Sequence, residues 1–223
     1  MQGRVGFRQS RRKRVPWLLK LSMTFCLLLC AMLVGADFLL RGFIHSKQAL
    51  READYNRVIS AHPLQHREVI EREARKYNLE PAFVAAVIMS ESSFRRDAES
   101  SVGARGLMQL MPDTAKWIAG KLNEDGNFSF ERMFDPETNI RYGAWYLGYL
   151  AERFRGEPVL VAGAYHAGQG EIQNWINEGR STLDTMVDGP TKRYAEKVVT
   201  SYGVYERLYF APDAELTNSG TAD

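Results

Sequence analysis

Residues 135–154 read DPETNIRYGAWYLGYLAERF. Asp135 can cap a helix whose first position is Pro136, where the N–H that proline lacks would be unpaired anyway. Ile140, Gly143, Ala144, Leu147, Leu150, Ala151 and Phe154 then recur at spacings of three and four, the period of one helical face. The same punctuation appears at Pro81, Pro112, Pro158 and Pro190, each preceding an apolar run. Five helix starts follow, with an earlier helix expected around Glu68 to Tyr77. The last helix carries Tyr194, Val198, Tyr202, Tyr205 and Leu208 on one stripe. No run of alternating strands and no internal repeat interrupts the pattern. Residues 63–210 are therefore expected to form one compact, mainly α domain.

The chain has 223 residues, of which 45% are hydrophobic and 25% charged, the usage of an ordinary globular protein. Disorder throughout and a disulfide-stapled miniprotein are excluded on that composition. The net charge of +2 hides an asymmetry. Arg4, Arg8, Arg11, Arg12, Lys13, Arg14 and Lys20 precede residue 37 with no acid among them. Removing these seven from the 29 basic residues leaves 22 against 27 acids in residues 37–223, a balance of −5. A net-acidic body argues against nucleic acid as a partner, because backbone phosphates call for clustered positive charge.

From Leu21 to Ala36 no residue is charged, and Trp17 to Leu40 is apolar apart from Lys20, Asp37 and a few small polar side chains. That run is long enough to span a bilayer, with Lys20 placed to snorkel toward the headgroups. The basic residues before it put the N-terminus in the cytoplasm and everything after Asp37 outside. Residues 1–40 thus read as a basic tail and membrane anchor, residues 41–62 as a stalk, and residues 211–223 as a disordered tail. A cleaved secretory signal is the alternative, since Val34 and Ala36 are the small residues such a site uses. Either way the domain is exported. Cys26 and Cys30, the two cysteines of the chain, both lie in the apolar run. They are read as buried small hydrophobes rather than a metal or redox pair. Phe25 and Leu29 before them are too bulky for a lipobox.

On the helix opened by Pro81, the stripe Val84, Val87 and Ile88 continues by three and four to Glu91, placing a carboxylate at a core position. Apolar surroundings and the negative end of the helix dipole both favour its neutral form, and no cation stands one turn back at 87 or 88. An acid protonated near neutrality can protonate a leaving oxygen. A helix frayed at Ser90 would instead leave Glu91 in water.

The stretch Glu91-Ser92-Ser93-Phe94, then Ser100 to Pro112 (SSVGARGLMQLMP), resembles the catalytic region of the lytic transglycosylase family with a soluble-type (SLT) domain. Three further blocks agree in order: Asp135 to Ile140, Ala164-Tyr165-His166-Ala167-Gly168, and Thr191 to Tyr194. The resemblance implies a lysozyme-like α-rich domain, here behind a single N-terminal transmembrane helix. It also implies cleavage of the β-1,4 bond between N-acetylmuramic acid and N-acetylglucosamine in peptidoglycan strands. Glu91 aligns with the family's single catalytic acid/base. Ser100, Gln109, Met111 and Tyr165 fall on positions that contact the sugars, and His166 stands beside them where the family usually has Asn. In the last block Pro190 replaces a usual acid and supplies a helix start. Neither a cofactor nor a metal is implied.

An ordinary glycosidase uses a second carboxylate opposite the first. Asp97 and Glu99 are the nearest acids in sequence, but they are read as solvated loop charges paired with Arg95 or Arg96. The resemblance instead implies that the muramoyl 6-hydroxyl attacks its own anomeric carbon and yields a 1,6-anhydro sugar. A water-using muramidase, and a wall-binding protein that has lost turnover through the changes at His166 and Pro190, remain as alternatives.

Other motifs carry less. His62 and His66 stand four apart, but Pro63 intervenes and no third metal ligand is near. Gly168-Gln169-Gly170 lacks the strand and third glycine of a nucleotide loop, and Asn123 to Asn127 fails calcium-loop spacing. Trp117, Trp145 and Trp175 sit on helical stripes and are assigned to the core.

Overall fold

The computed structural model describes residues 17–210. The first sixteen residues, with most of the basic run, and the tail 211–223 lie outside them. Eight α-helices follow in order: α1 (Trp17–Ala61), α2 (Arg67–Lys76), α3 (Pro81–Ser92), α4 (Pro112–Lys121), α5 (Pro136–Arg153), α6 (Pro158–Ala167), α7 (Gln169–Asn177) and α8 (Pro190–Tyr205). Short 3₁₀ turns at Asp125–Asn127 and Phe130–Phe134 join α4 to α5, and one π turn, Glu206–Phe210, ends the described chain. Among the described residues there is no strand, only isolated bridges pairing Arg105 with Glu99 and with Leu110. The mainly α expectation is met.

The chain divides into two units after Arg57. In the first, α1 presents Leu21, Phe25, Leu28, Leu29, Met32, Leu33, Phe38 and Leu39 as exposed side chains. It is long and apolar enough to cross a membrane by length and composition. Cys26 and Cys30, expected to be buried, are exposed on this helix among their apolar neighbours. Residues 41–61 continue the same helix, with Asp37 and Arg41 paired one turn apart.

In the second unit all five proline-opened helices begin with proline at the first helical position. Asp135 caps α5 as expected, accepting from the Thr138 N–H at 2.9 Å and from its hydroxyl at 2.6 Å. These bonds hold the Asp135 carboxyl below its usual range. The buried stripe of α5 is Ile140, Gly143, Ala144, Leu147 and Leu150. Helix α3 is buried on every side from Ala82 to Ile88, which fits its unbroken apolar sequence. α3 packs on α8, α8 on α6, and α2 bridges α3 and α5, around one main core. A smaller core beneath α4 gathers Leu110, Ala115, Ile118, Ala119, Met133 and Tyr142.

Two helical features depart from the pattern read above. α7 was not anticipated: no proline marks it, and it begins straight after Gly168, whose φ of 89° turns the chain. The stripe of the last helix does not run unbroken to Leu208, because α8 gives way to a π turn at Glu206, which widens the period.

Candidate active site

Glu91 occupies the last turn of α3, and the helix continues through Ser92 rather than fraying at Ser90. Ser93 and Phe94 then adopt positive φ values of 53° and 61°, which turn the chain sharply away and leave Glu91 at the helix end. Its Oε1 accepts a hydrogen bond of 2.6 Å from the Tyr194 hydroxyl on α8. Burial raises the Glu91 pKa to about 7, against the opposing pull of the Tyr194 hydrogen bond and the Lys197 charge. Lys197 also donates to the Ser90 carbonyl at 3.0 Å, so it caps α3 while standing near the acid. The cation missing one turn back on α3 is thus supplied by α8.

The loop between α3 and α4 is fixed from inside by Asn139. This fully buried side chain accepts from the Met108 N–H at 2.8 Å and donates to the carbonyls of Arg105 at 3.0 Å and Met133 at 2.9 Å. One amide therefore satisfies three backbone groups, which explains an Asn in the DPETNI block. Two glycines let the loop approach: Gly106, at φ 78°, has no room for a Cβ beside Met133 and Asn139. Gly143 on α5 likewise leaves its place to the Met108 side chain.

Tyr165 donates its hydroxyl to the Met108 carbonyl at 2.8 Å, tying α6 to this loop. Burial raises its pKa well above the ordinary value, and the nearby Glu91 charge adds to the rise. Tyr194 is shifted the same way for the same reasons. His166 lies with its ring 4.7 Å from that of Tyr194, and its Nδ1 is 3.2 Å from the Thr191 hydroxyl. Partial desolvation lowers its pKa below the ordinary value, although the side chain remains exposed. Glu91, Tyr165, Tyr194 and His166 thus form one connected group.

Gln109 and Met111 follow directly on the pinned Met108. Gln109 has φ 47° and donates from Nε2 to the carbonyls of Ala98 and Gly106, at 3.0 and 2.9 Å. Met111 precedes α4 and is exposed. Ser100 stays within its own turn, where its hydroxyl accepts from the Ala104 N–H at 2.9 Å. Glu99 pairs with Arg105 at 2.9 Å, not with Arg95 or Arg96 as expected, because the Glu99–Arg105 bridge brings the two side by side. Among the described residues no group of three or more His, Cys, Asp or Glu side chains converges on a common point. His62 instead directs Nδ1 to the Val58 carbonyl.

Tyr194 and Lys197 were not singled out from sequence as site residues, nor was Tyr146, whose ring lies 5.4 Å from that of Tyr165. Tyr194 does fall inside the last block quoted above, so its position carried a signal even though its partner did not.

Comparison with known proteins shows the family. Residues 68–186, more than half of the chain, match the Transglycosylase SLT domain family. The soluble lytic murein transglycosylase of Escherichia coli (strain K12) is 30% identical over 164 residues, covering 71% of this chain and 25% of that protein. The membrane-bound lytic murein transglycosylase C of Serratia proteamaculans (strain 568) is 30% identical over 129 residues, 54% of this chain and 36% of that one. The X-ray structure of an inactive mutant of the lytic transglycosylase Slt from Pseudomonas aeruginosa superposes with a TM-score of 0.60 at 35% identity, covering 65% of this chain and 24% of that one. The chain thus spans about a quarter of the length of the first of these relatives. With a lysozyme-like helical fold and a family match over more than half of its length, the chain belongs to the Transglycosylase SLT domain family.

Proposed function

We propose that this protein is a lytic transglycosylase that cleaves the N-acetylmuramic acid to N-acetylglucosamine β-1,4 bond of peptidoglycan and leaves a 1,6-anhydro end. The observation that carries the reading is Glu91: a carboxyl at the end of α3, raised to about 7 by burial and held by the Tyr194 hydroxyl. Such a group is substantially protonated near neutrality and can donate to the glycosidic oxygen. The acetamido group of the muramoyl sugar then stabilises the cationic carbon. The resulting Glu91 carboxylate accepts the proton of that sugar's 6-hydroxyl, which attacks the anomeric carbon. No water is consumed, and the tethered nucleophile is held at high effective concentration. A one-acid site suits this route better than a water-using one, which needs a base to activate the water.

In this reading Ser100, Gln109, Met111, Tyr165 and His166 contact the sugars. The Tyr165 hydroxyl is committed to Met108, so its contribution is the ring and a remaining lone pair. His166, in place of the usual Asn, offers an imidazole already anchored to Thr191. The apolar α1, and the likeness to a membrane-bound relative, support anchoring in the cytoplasmic membrane. The basic residues before α1 support a single pass with the catalytic domain outside.

The test is Glu91→Gln, which keeps the side-chain shape and removes the proton donor. Release of soluble fragments from purified peptidoglycan should fall at least a thousand-fold while binding to glycan stays within a few fold. Substantial residual release by the variant would refute the assignment.

A further inference from the structure

Trp117, assigned to the core from its helical spacing, is not there. α4 turns Ala115, Ile118 and Ala119 inward, and Trp117 is left 36% exposed on the rim. It stands edge-on to three rings of α5: Trp145 at 5.2 Å, Tyr146 at 6.0 Å and Tyr149 at 5.3 Å between centroids. Trp145 and Tyr149 are themselves stacked at 5.8 Å with their planes 8° apart. A large apolar ring on the surface, held rigid by its neighbours, loses little conformational entropy when something lies on it.

The rim is linked to the surroundings of Glu91 in two ways. Tyr146 touches both Trp117 and Tyr165, so one ring separates Trp117 from the tyrosine beside Glu91. Met111 also sits at the start of the same α4 that carries Trp117. Around Trp117 the solvent face of α4 is an open surface carrying Asp113, Lys116, Gly120 and Lys121. Gly120 presents no side chain, and a Cβ there would meet nothing within 4 Å, so the approach to the ring is open on that side. Charged side chains beside a flat aromatic surface are what the hydroxyls, acetamido group and apolar face of a hexosamine require.

We infer that Trp117, buttressed by Trp145 and Tyr149, forms an additional subsite that stacks an N-acetylated hexosamine of the glycan strand beyond the units at Glu91. The Lys121 ammonium, 5.9 Å from the Trp117 centroid, swings aside when the sugar binds. The inference deepens the proposed function and rests on it. The subsite lengthens the bound stretch of glycan, so the site distinguishes long strands from short fragments.

The experiment titrates β-1,4-linked N-acetylglucosamine tetramer and hexamer into the full-length Glu91→Gln chain in detergent, followed by calorimetry. The same titrations are made with Trp117→Ala and Trp117→Phe added. The hexamer should bind the Glu91→Gln chain about ten-fold tighter than the tetramer. Trp117→Ala should bring that ratio close to one, and Trp117→Phe should keep most of it. A ratio unchanged in a Trp117→Ala protein overturns the subsite, including where that variant has only lost thermal stability. A Trp117→Phe ratio as low as that of Trp117→Ala also overturns it, because stacking would then not be the cause. No binding of either oligomer by the Glu91→Gln chain overturns the sugar-binding reading of the Glu91 site and the subsite with it.

Discussion

Tyr194 on α8 and Glu91 on α3, 103 residues apart in sequence, meet through a hydrogen bond of 2.6 Å from the tyrosine hydroxyl to the carboxylate. The bond orients the acid and also tunes it. Burial pushes the Glu91 carboxyl upward, and the Tyr194 hydroxyl, with the Lys197 charge behind it, pulls it back to about 7. An acid with no such partners would remain protonated too firmly to serve as a base in the second half of the reaction.

Replacing Tyr194 by Phe removes a donor that favours the charged form, so the Glu91 pKa rises above its present value of about 7. The alkaline limb of the pH–rate profile, where Glu91 loses the proton it must donate, should move to higher pH. The maximal rate should fall about ten-fold as the carboxyl loses its orientation. Lys197→Met should shift the limb in the same direction by removing a stabilising charge. A limb that stays in place in both variants contradicts the tuning argument.

The same shift makes Glu91 a destabilising group in alkali. Its folded pKa of about 7 lies above the ordinary value of 4.5, so the folded chain holds the proton more tightly than the unfolded chain. That contribution is complete below about pH 4.5 and is lost as pH rises through 7. Glu91→Gln does not titrate. The stability gap in favour of the variant should therefore open between pH 4.5 and 7 and level off above, reaching up to about 3 kcal/mol. Urea unfolding of the two proteins from pH 4 to 9 measures it, and a gap independent of pH would show that Glu91 is not buried as a neutral acid.

Asn139 supports the site at one remove. Asn139→Ala leaves the Met108 N–H and the carbonyls of Arg105 and Met133 without their partner in a buried place. A loss of about 3 kcal/mol or more is expected. Asn139→Asp keeps the acceptor for Met108 but loses both donors and introduces a buried charge, and it should be no more stable. Thermal unfolding of both variants is the check. Because Met108 carries the carbonyl that receives Tyr165, activity should fall even at temperatures where the variants remain folded.

Much of this arrangement was readable from residue order. Proline at Pro81, Pro112, Pro136, Pro158 and Pro190 marks helix starts because its missing N–H has no partner at that position in any case. Glu91 was legible as a carboxylate on a core stripe. Its partners were not, since Tyr194 and Lys197 arrive from α8 and no local period encodes which helix lies across α3. Trp117 was misplaced for a related reason: at helical spacing a rim position and a core position differ by one residue, and the packing of α4 on α5 decides between them. α7 was missed because Gly168 starts it without a proline or a capping side chain. Asn139 stood in a recognised block, but its three bonds span segments up to 34 residues away.

The mass of the fragments released from purified peptidoglycan by the full chain in detergent tests the central claim most directly. A lone acid that lets the sugar's own 6-hydroxyl attack yields anhydro-muropeptides that incorporate no water. Products one water heavier for each bond cut would contradict it.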